Sequence, residues 1–166
     1  MPKILKLKIT LIDSNPQIWR EVLIEKDKNF EDLHYTIQGA MNWKNYHIHE
    51  FPLTENKYIG GEPPSPYSRK NRSYLKESNT KIEKFLNKKG DSIKYIYDFG
   101  DYWRHKIEVI DVLEQEDNRE YPVCIDGENA SPPEDVGGIN GYKRMVEAFS
   151  DVDHPDYETY KEWLGD

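Results

Sequence analysis

The strongest constraint on the fold is a pair of segments, residues 92–98 and 103–113, whose large apolar side chains recur at every second position. A period of two places such side chains on one face of a β-strand. Only Phe99–Tyr102 separates the two segments, and Gly100 can adopt the positive φ that tight turns often require. The sequence therefore predicts an antiparallel hairpin that buries one aromatic face.

The rest of the chain mixes strands and helices without a regular strand–helix alternation. The predicted strands are residues 5–11, 18–24 and 46–53, and the predicted helices are residues 30–41, 80–89, 142–149 and 155–164. Thr80–Glu83 matches a capping box, and residues 54–79 predict a long irregular connection. This mixture favours an α+β fold, a mainly antiparallel β-sheet with helices packed on it, in a single domain over residues 1–166.

The net charge of -8 is distributed unevenly along the chain. Residues 67–94 carry 9 lysines and arginines against 3 acidic residues, whereas residues 95–166 carry 6 against 19. The basic run, residues 69–94, is a candidate nucleic-acid interface, although the acidic final third would repel a phosphate backbone. The charge pattern favours the alternative, a solvated loop followed by an exposed helix face.

Composition also predicts the cellular compartment of the protein. No stretch approaches the ~20 apolar residues of a membrane span, and the first residues lack the apolar run of a signal peptide. Cys124 is the only cysteine, so an internal disulfide is impossible. We therefore expect a cytoplasmic protein without a membrane partner. The apolar neighbours of Cys124 predict a buried, unreactive thiol.

Three histidines are candidate metal ligands. His47 and His49 share one face of a predicted strand, and His105 lies in the second strand of the predicted hairpin. Neutral imidazole with carboxylate suits zinc, manganese or iron, so the three would form a divalent-metal site if their strands are neighbours. Alternatively, the histidines fill a partly polar face of the sheet, and Asp98 and Asp101 cap the turn.

A second block, Ser131–Tyr142, places two adjacent carboxylates between two prolines and two glycines. Proline restricts the backbone and glycine permits close approach. Glu134 and Asp135 are therefore candidate catalytic residues, as a general base or a further metal ligand. The pattern supports a structural role equally well, in which one of them caps the next helix or accepts hydrogen bonds from loop amides.

The two blocks also supply candidate ligand-binding residues: Asp98, Asp101, Trp103, Arg104 and Tyr142. Aromatic side chains on a sheet can stack on nucleobases, and charged side chains can orient a polar ligand. The alternative, which the sequence favours, is that the aromatic residues belong to the core, because basic residues are not interleaved with them. Arg104 would then pair with a nearby acid.

The blocks Asp98–His105 and Pro132–Gly138, together with Gln17–Arg20, resemble the plasmid pRiA ORF-three-like family, and the resemblance covers nearly the whole chain. It implies a compact α+β domain and an association with plasmids and insertion elements, without an activity. Many members carry cysteines around the second block, where this chain has Ser131 and Val136. A single cysteine excludes a thiolate metal cluster, so no such cluster is carried over.

Residues and resemblance together predict a binding or accessory module linked to plasmids or other mobile elements. The first alternative is a metal-dependent hydrolase or nuclease, with His47, His49 and His105 as ligands and Glu134 or Asp135 as base or further ligand. The second is a nucleic-acid-binding protein that uses the basic residues 69–94.

Overall fold

The computed structural model describes residues 1–61 and 72–165. The described strands are β1 (Ile4–Leu11), β2 (Trp19–Glu25), β3 (His49–Thr54), β4 (Lys57–Gly60), β5 (Ser73–Lys76), β6 (Ser92–Tyr97), β7 (Trp103–Leu113) and β8 (Val123–Glu128). The α-helices are α1 (Phe30–Met41), α2 (Gly138–Phe149) and α3 (Tyr157–Leu164), and the 3-10 helices are Glu77–Asn79 and Ile82–Lys84. None of the helices in this part of the chain is long and apolar enough to cross a lipid bilayer.

All the described strands belong to one sheet, in the order β5-β4-β3-β6-β7-β1-β2-β8. Neighbouring strands run antiparallel, except that β4 and β5 are parallel. The predicted hairpin is formed by β6 and β7, in which Tyr95 pairs with His105 and Tyr97 with Trp103. The prediction of an α+β fold with a mainly antiparallel sheet is confirmed.

One face of the sheet forms the core against the helices. Along β1 the odd-numbered side chains from Leu5 to Leu11 are buried, and the even-numbered ones from Lys6 to Thr10 are partly exposed. The aromatic side chains of β6 and β7 join the same core cluster. Helix α1 adds Phe30, Leu33, Ile37 and Met41 to it, at the spacing of a single helix face.

The structure differs from the sequence-based prediction mainly between residues 54 and 90. The predicted irregular connection contains β4 and β5, which extend the sheet beyond β3. The predicted helix over residues 80–89 is only the 3-10 helix Ile82–Lys84, because Thr80 Oγ1 donates to Lys76 O instead of capping a helix. Residues 62–71, which include the start of the basic run, lie outside the described residues.

The chain after β7 also departs from the prediction. Strand β8 spans Val123–Glu128 and pairs with β2, and it is not among the strands that the sequence predicts. The Cys124 thiol is exposed, so the prediction of a buried thiol is wrong. The side chains of β8 are largely exposed because the strand lies at the edge of the sheet.

Asn29 caps the N-terminus of α1. Its Oδ1 accepts from the Asp32 N–H at 2.8 Å, and the Asp32 carboxylate accepts from the Asn29 N–H at 3.3 Å. We expect Asn29→Ala to lower the free energy of unfolding by about 1 kcal/mol, measured by urea denaturation. Asn140→Ala, at an exposed position of α2, is the matched control, and an equal loss in both variants would contradict the capping role.

Candidate functional site

A histidine and three carboxylates meet at the turn end of the β6–β7 hairpin. His47 precedes β3, Asp98 follows β6, and Glu134 and Asp135 precede α2. His47 Nε2 lies 2.7 Å from Asp135 Oδ1 and 3.5 Å from Asp98 Oδ2. It lies 3.8 Å from Glu134 Oε2. One imidazole nitrogen thus faces three carboxylate oxygens that come from two different segments.

The hairpin turn fixes the position of Asp98. This residue has a φ of 64°, in the left-handed region that Asp tolerates better than most residues. Its Oδ1 accepts hydrogen bonds from the N–H groups of Gly100, at 2.9 Å, and Asp101, at 3.3 Å. Its Oδ2 faces His47, and the side chain is only 8% exposed. Asp98 therefore caps the turn with one oxygen and contributes the other to the cluster.

Glu134 is held by two donors. The Tyr97 hydroxyl and the Lys44 N–H both donate to its Oε1 at 2.8 Å. Burial, followed by the hydrogen bond to Glu134, raises the pKa of Tyr97, so the phenol remains a proton donor at neutral pH. Glu134 Oε2 is buried and has no hydrogen-bond partner among the described residues. An unpaired buried carboxylate oxygen is unfavourable unless a cation or another donor approaches it.

Asp101 positions the loop before α2 and does not join the cluster. Its Oδ2 accepts from the Gly137 N–H at 3.1 Å. A Cβ atom at Gly138 would lie 2.6 Å from the Asp101 carbonyl oxygen, and the φ of Gly138 is +72°. Only glycine fits both the space and that backbone conformation. The paired glycines therefore allow the loop with the two carboxylates to pack tightly against the hairpin turn.

The cluster has more negative than positive charge. In residues 1–61 and 72–165, no lysine or arginine forms an ion pair with its three carboxylates. Carboxylates this close to one another repel unless a proton or a cation lies among them. His47, Asp98 and Asp135 offer ligand atoms that all lie within 4.8 Å of one another. Mixed imidazole and carboxylate donors suit zinc, manganese or iron.

His105, the predicted metal ligand in the second strand of the hairpin, lies in the core. Its Nδ1 donates to the Tyr95 carbonyl oxygen at 3.1 Å, and the indole N–H of Trp43 donates to its Nε2 at 3.2 Å. Both ring nitrogens are therefore occupied. Burial lowers the pKa of His105 to about 4, so the ring is neutral at physiological pH. The structure does not bring His105 to the cluster around His47.

His49 belongs to a second polar network that the sequence did not indicate. Its Nε2 lies 2.7 Å from Glu77 Oε2, and its ring stacks on His34 with centroids 3.4 Å apart. His34 Nδ1 lies 2.7 Å from the Tyr95 hydroxyl oxygen. Burial, and then the neighbouring His49, lower the pKa of His34 to about 4. His34, a histidine on the apolar face of α1, was the sequence signal that could have indicated this network. Glu77 lies in the predicted irregular connection, so no sequence pattern indicated its contact with His49.

The three remaining candidate ligand-binding residues have separate environments. Trp103 is fully buried, with its ring centroid 5.2 Å from that of Trp43. Arg104 pairs with Asp13, as the alternative interpretation expected, and lies opposite Ile96 in the hairpin. The Tyr142 hydroxyl donates to the Ala130 carbonyl oxygen at 3.2 Å. The two blocks therefore contribute to several local environments, and Asp98, Glu134 and Asp135 are the members that meet His47.

Comparisons with known proteins agree over the full length of the chain. The family model described as Plasmid pRiA4b ORF-3-like protein matches residues 3–166. The chain is 31% identical over 168 residues to Uncharacterized protein y4hQ of Sinorhizobium fredii, covering 98% of this chain and 81% of that protein. It is also similar to the crystal structure of a protein of unknown function, MM3350, from Methanosarcina mazei Go1. That match has a TM-score of 0.85 at 34% identity and covers 98% of this chain and 89% of the other.

The buried neutral histidine in the hairpin predicts a pH dependence. Because the pKa of His105 falls from 6.5 to about 4 on folding, the unfolded chain binds a proton that the native chain excludes between these pH values. This contribution to stability is complete above about pH 6.5 and is lost as the pH falls toward 4, by at most about 1.4 kcal/mol per pH unit. We expect His105→Gln to show a shallower loss of unfolding free energy over this range.

Urea denaturation at several pH values between 4 and 7 measures this slope. The matched control is His154→Gln, outside the sheet, which should keep the slope of the unsubstituted protein. Identical slopes for the His105 variant and the unsubstituted protein would contradict a neutral buried imidazole.

Proposed function

The chain belongs to the plasmid pRiA4b ORF-3-like protein family, and we propose that its function depends on a divalent metal ion bound by His47 and the carboxylates beside it. The observation that carries this proposal is the contact of one imidazole nitrogen with three carboxylate oxygens at 2.7 to 3.8 Å. A divalent cation would neutralise the mutual repulsion of these carboxylates. Zinc, manganese and iron are the ions that suit this donor set.

The surroundings of the cluster support a defined role for each donor. The turn restrains Asp98, and two hydrogen bonds to the other oxygen restrain Glu134, so both have a second oxygen available for an ion. Asp135 is 57% exposed and His47 is 30% exposed, which leaves a path for an ion to enter from solvent. His47, Asp98 and Asp135 would be the ligands, and Glu134 Oε2 would complete the set or accept a proton from a bound water.

Such an ion would connect the segment before β3, the hairpin turn and the loop before α2. The proposal therefore agrees with a binding or accessory module, in which the metal fixes the relative positions of three surface segments. A cytoplasmic location is part of this proposal, and the single cysteine supports it. The link to plasmids or other mobile elements is also a proposal, which the family name supports.

Metal content tests the proposal directly. Chelator-treated protein reconstituted with zinc, manganese or iron should retain close to one ion per chain, measured by inductively coupled plasma mass spectrometry. His47→Ala should lose the ion, and Asp135→Asn should weaken the affinity at least about tenfold in calorimetric titration. Asp135 is the more informative change because an exposed side chain contributes little to folding.

His154→Ala is the matched histidine control, and Asp117→Asn is the matched carboxylate control at an exposed position. Both should bind metal as the unsubstituted protein does. Absence of binding after reconstitution, or full retention in the His47 variant, would contradict the proposed site.

Metal-assisted hydrolysis is the second candidate function, and Glu134 favours it. A catalytic metal site keeps coordination positions for water, and a nearby carboxylate can act as the general base. Glu134 Oε2 is an unpaired acceptor 3.8 Å from His47 Nε2, at the edge of the proposed ligand set. With an ion bound, Glu134 would be able to accept a proton from a water molecule that the ion polarises.

The phosphodiester bis(p-nitrophenyl) phosphate is a suitable probe of this second function. With the bound ion present, we expect Glu134→Gln to lower the hydrolysis rate about 100-fold or more while the metal content stays unchanged. Glu147→Gln, at an exposed position on α2, should retain the rate. Equal rates with and without the metal in the unsubstituted protein would exclude this activity and leave the metal-binding proposal intact.

A further inference from the structure

The face of the sheet that points away from the helices carries a broad groove whose lining includes four cationic and two acidic side chains. The groove has a volume of about 1020 Å3, and its lining includes Lys94, Arg104 and Lys106 together with Phe99 and Tyr102. The cations alternate in sequence with residues of the buried face, so they belong to the opposite face of β6 and β7. The acidic side chains of this groove are Glu50 and Glu55, so its lining has a small net positive charge in a chain whose net charge is -8.

A smaller groove continues this path across the sheet. It has a volume of about 380 Å3, is lined by Lys8 and Thr10 of β1 together with Asp13 and Glu108, and shares Ile12 and Lys106 with the larger groove. The two grooves together cross β1, β7 and β6 on the same face of the sheet. An extended ligand could therefore contact several strands at once.

The register of the hairpin places two like charges directly opposite each other. Lys94 of β6 pairs with Lys106 of β7, and side chains in such pairs lie about 5 Å apart at Cβ. Like charges in this position are destabilising. Lys94 forms no ion pair in the described part of the chain, and Lys106 has Glu108 at 3.6 Å but remains 53% exposed. An anion between the two ammonium groups would remove the repulsion.

Arg72 provides a second, independent indication of an acceptor-rich ligand. Its Nη1 donates to both oxygens of Glu50, at 3.2 and 2.9 Å, and its guanidinium lies 4.4 Å from the centre of the Tyr58 ring. Its Nε is buried without a hydrogen-bond partner among the described residues, and Arg72 contributes to the lining of the groove. A buried N–H donor without a partner is unfavourable unless a ligand atom accepts from it.

We propose that this open face binds single-stranded nucleic acid, with phosphates at Lys94 and Lys106 and a base stacked on Tyr102; Arg104, which pairs with Asp13, borders the same groove. Tyr102 is 48% exposed beside the cations, the combination that single-strand-binding surfaces use. A single strand can contact the lysines of this face alone, whereas a duplex would bring further phosphates close to the acidic remainder of the surface. The interface overlaps the predicted basic run only at its last residue, Lys94, since Tyr102 and Lys106 lie outside residues 69–94.

Fluorescence anisotropy with a labelled oligothymidylate of about 15 nucleotides tests the proposal. We expect binding that weakens with salt between about 50 and about 200 mM. The double variant Lys94→Glu/Lys106→Glu should weaken binding more than about tenfold and reduce the slope of log affinity against log salt by about 1.4, for two phosphate contacts. Tyr102→Ala should weaken binding at least about fivefold without changing that slope, because stacking involves no counterion release.

Three further variants distinguish a folding defect from a loss of binding at the interface. Lys94→Glu alone places opposite charges in register with Lys106, so its thermal stability should equal or exceed that of the unsubstituted protein while affinity falls. Lys81→Glu/Lys89→Glu makes the same charge change at exposed positions outside the groove and should leave affinity unchanged. His154→Ala should also bind normally, since His154 does not line the groove.

Three outcomes would overturn the proposal. The first is the absence of oligonucleotide binding at low salt. The second is an equal loss of affinity in the Lys81/Lys89 control, which would show that the interface lies in the basic run, residues 69–94. The third is displacement of the oligonucleotide by an equal concentration of polyglutamate, which would show that the groove accepts any polyanion and favours an acidic protein segment as its partner.

Discussion

The register between β6 and β7 is the constraint on which the rest of the structure depends. It sets Tyr97 against Trp103 on the core face and Lys94 against Lys106 on the open face. Because side chains alternate along a strand, a slip of one residue would exchange the two faces and expose the aromatic core. The burial of those aromatic residues therefore specifies the register strongly. The same register brings the two lysines together, and the burial outweighs their repulsion.

The same hairpin also determines the cluster around His47. Its turn holds Asp98 in a left-handed conformation and leaves one carboxylate oxygen facing the histidine. The turn also anchors the loop before α2, through the contact of Asp101 with Gly137. Tyr97, the last residue of β6, donates to Glu134 in that loop. The end of one strand thus helps to position metal-ligand candidates from three segments. This explains why the two sequence blocks lie next to each other in the structure.

The two proposed sites separate charge in a way that the net charge of the chain conceals. Carboxylates gather at the turn end of the hairpin, while lysines and an arginine line the open face of the same two strands. The sheet keeps these surfaces apart, because alternate side chains of one strand cannot reach the same side. A cation would be favoured at the first surface and an anion at the second, so the two ligands need not compete.

Much of this architecture follows from local sequence. Period-two patterns identified the hairpin and β1, and Asn29 with its helical apolar stripe identified α1, because these signals depend on residues close in sequence. Strands β4 and β5 were missed, since edge pairing rather than an alternating pattern stabilises them. The sequence also marked His47, Asp98, Glu134 and Asp135 as chemical candidates. Only tertiary packing decided that these four meet while His105 enters the core, because the distances between separate segments depend on sheet order and on which face each side chain takes.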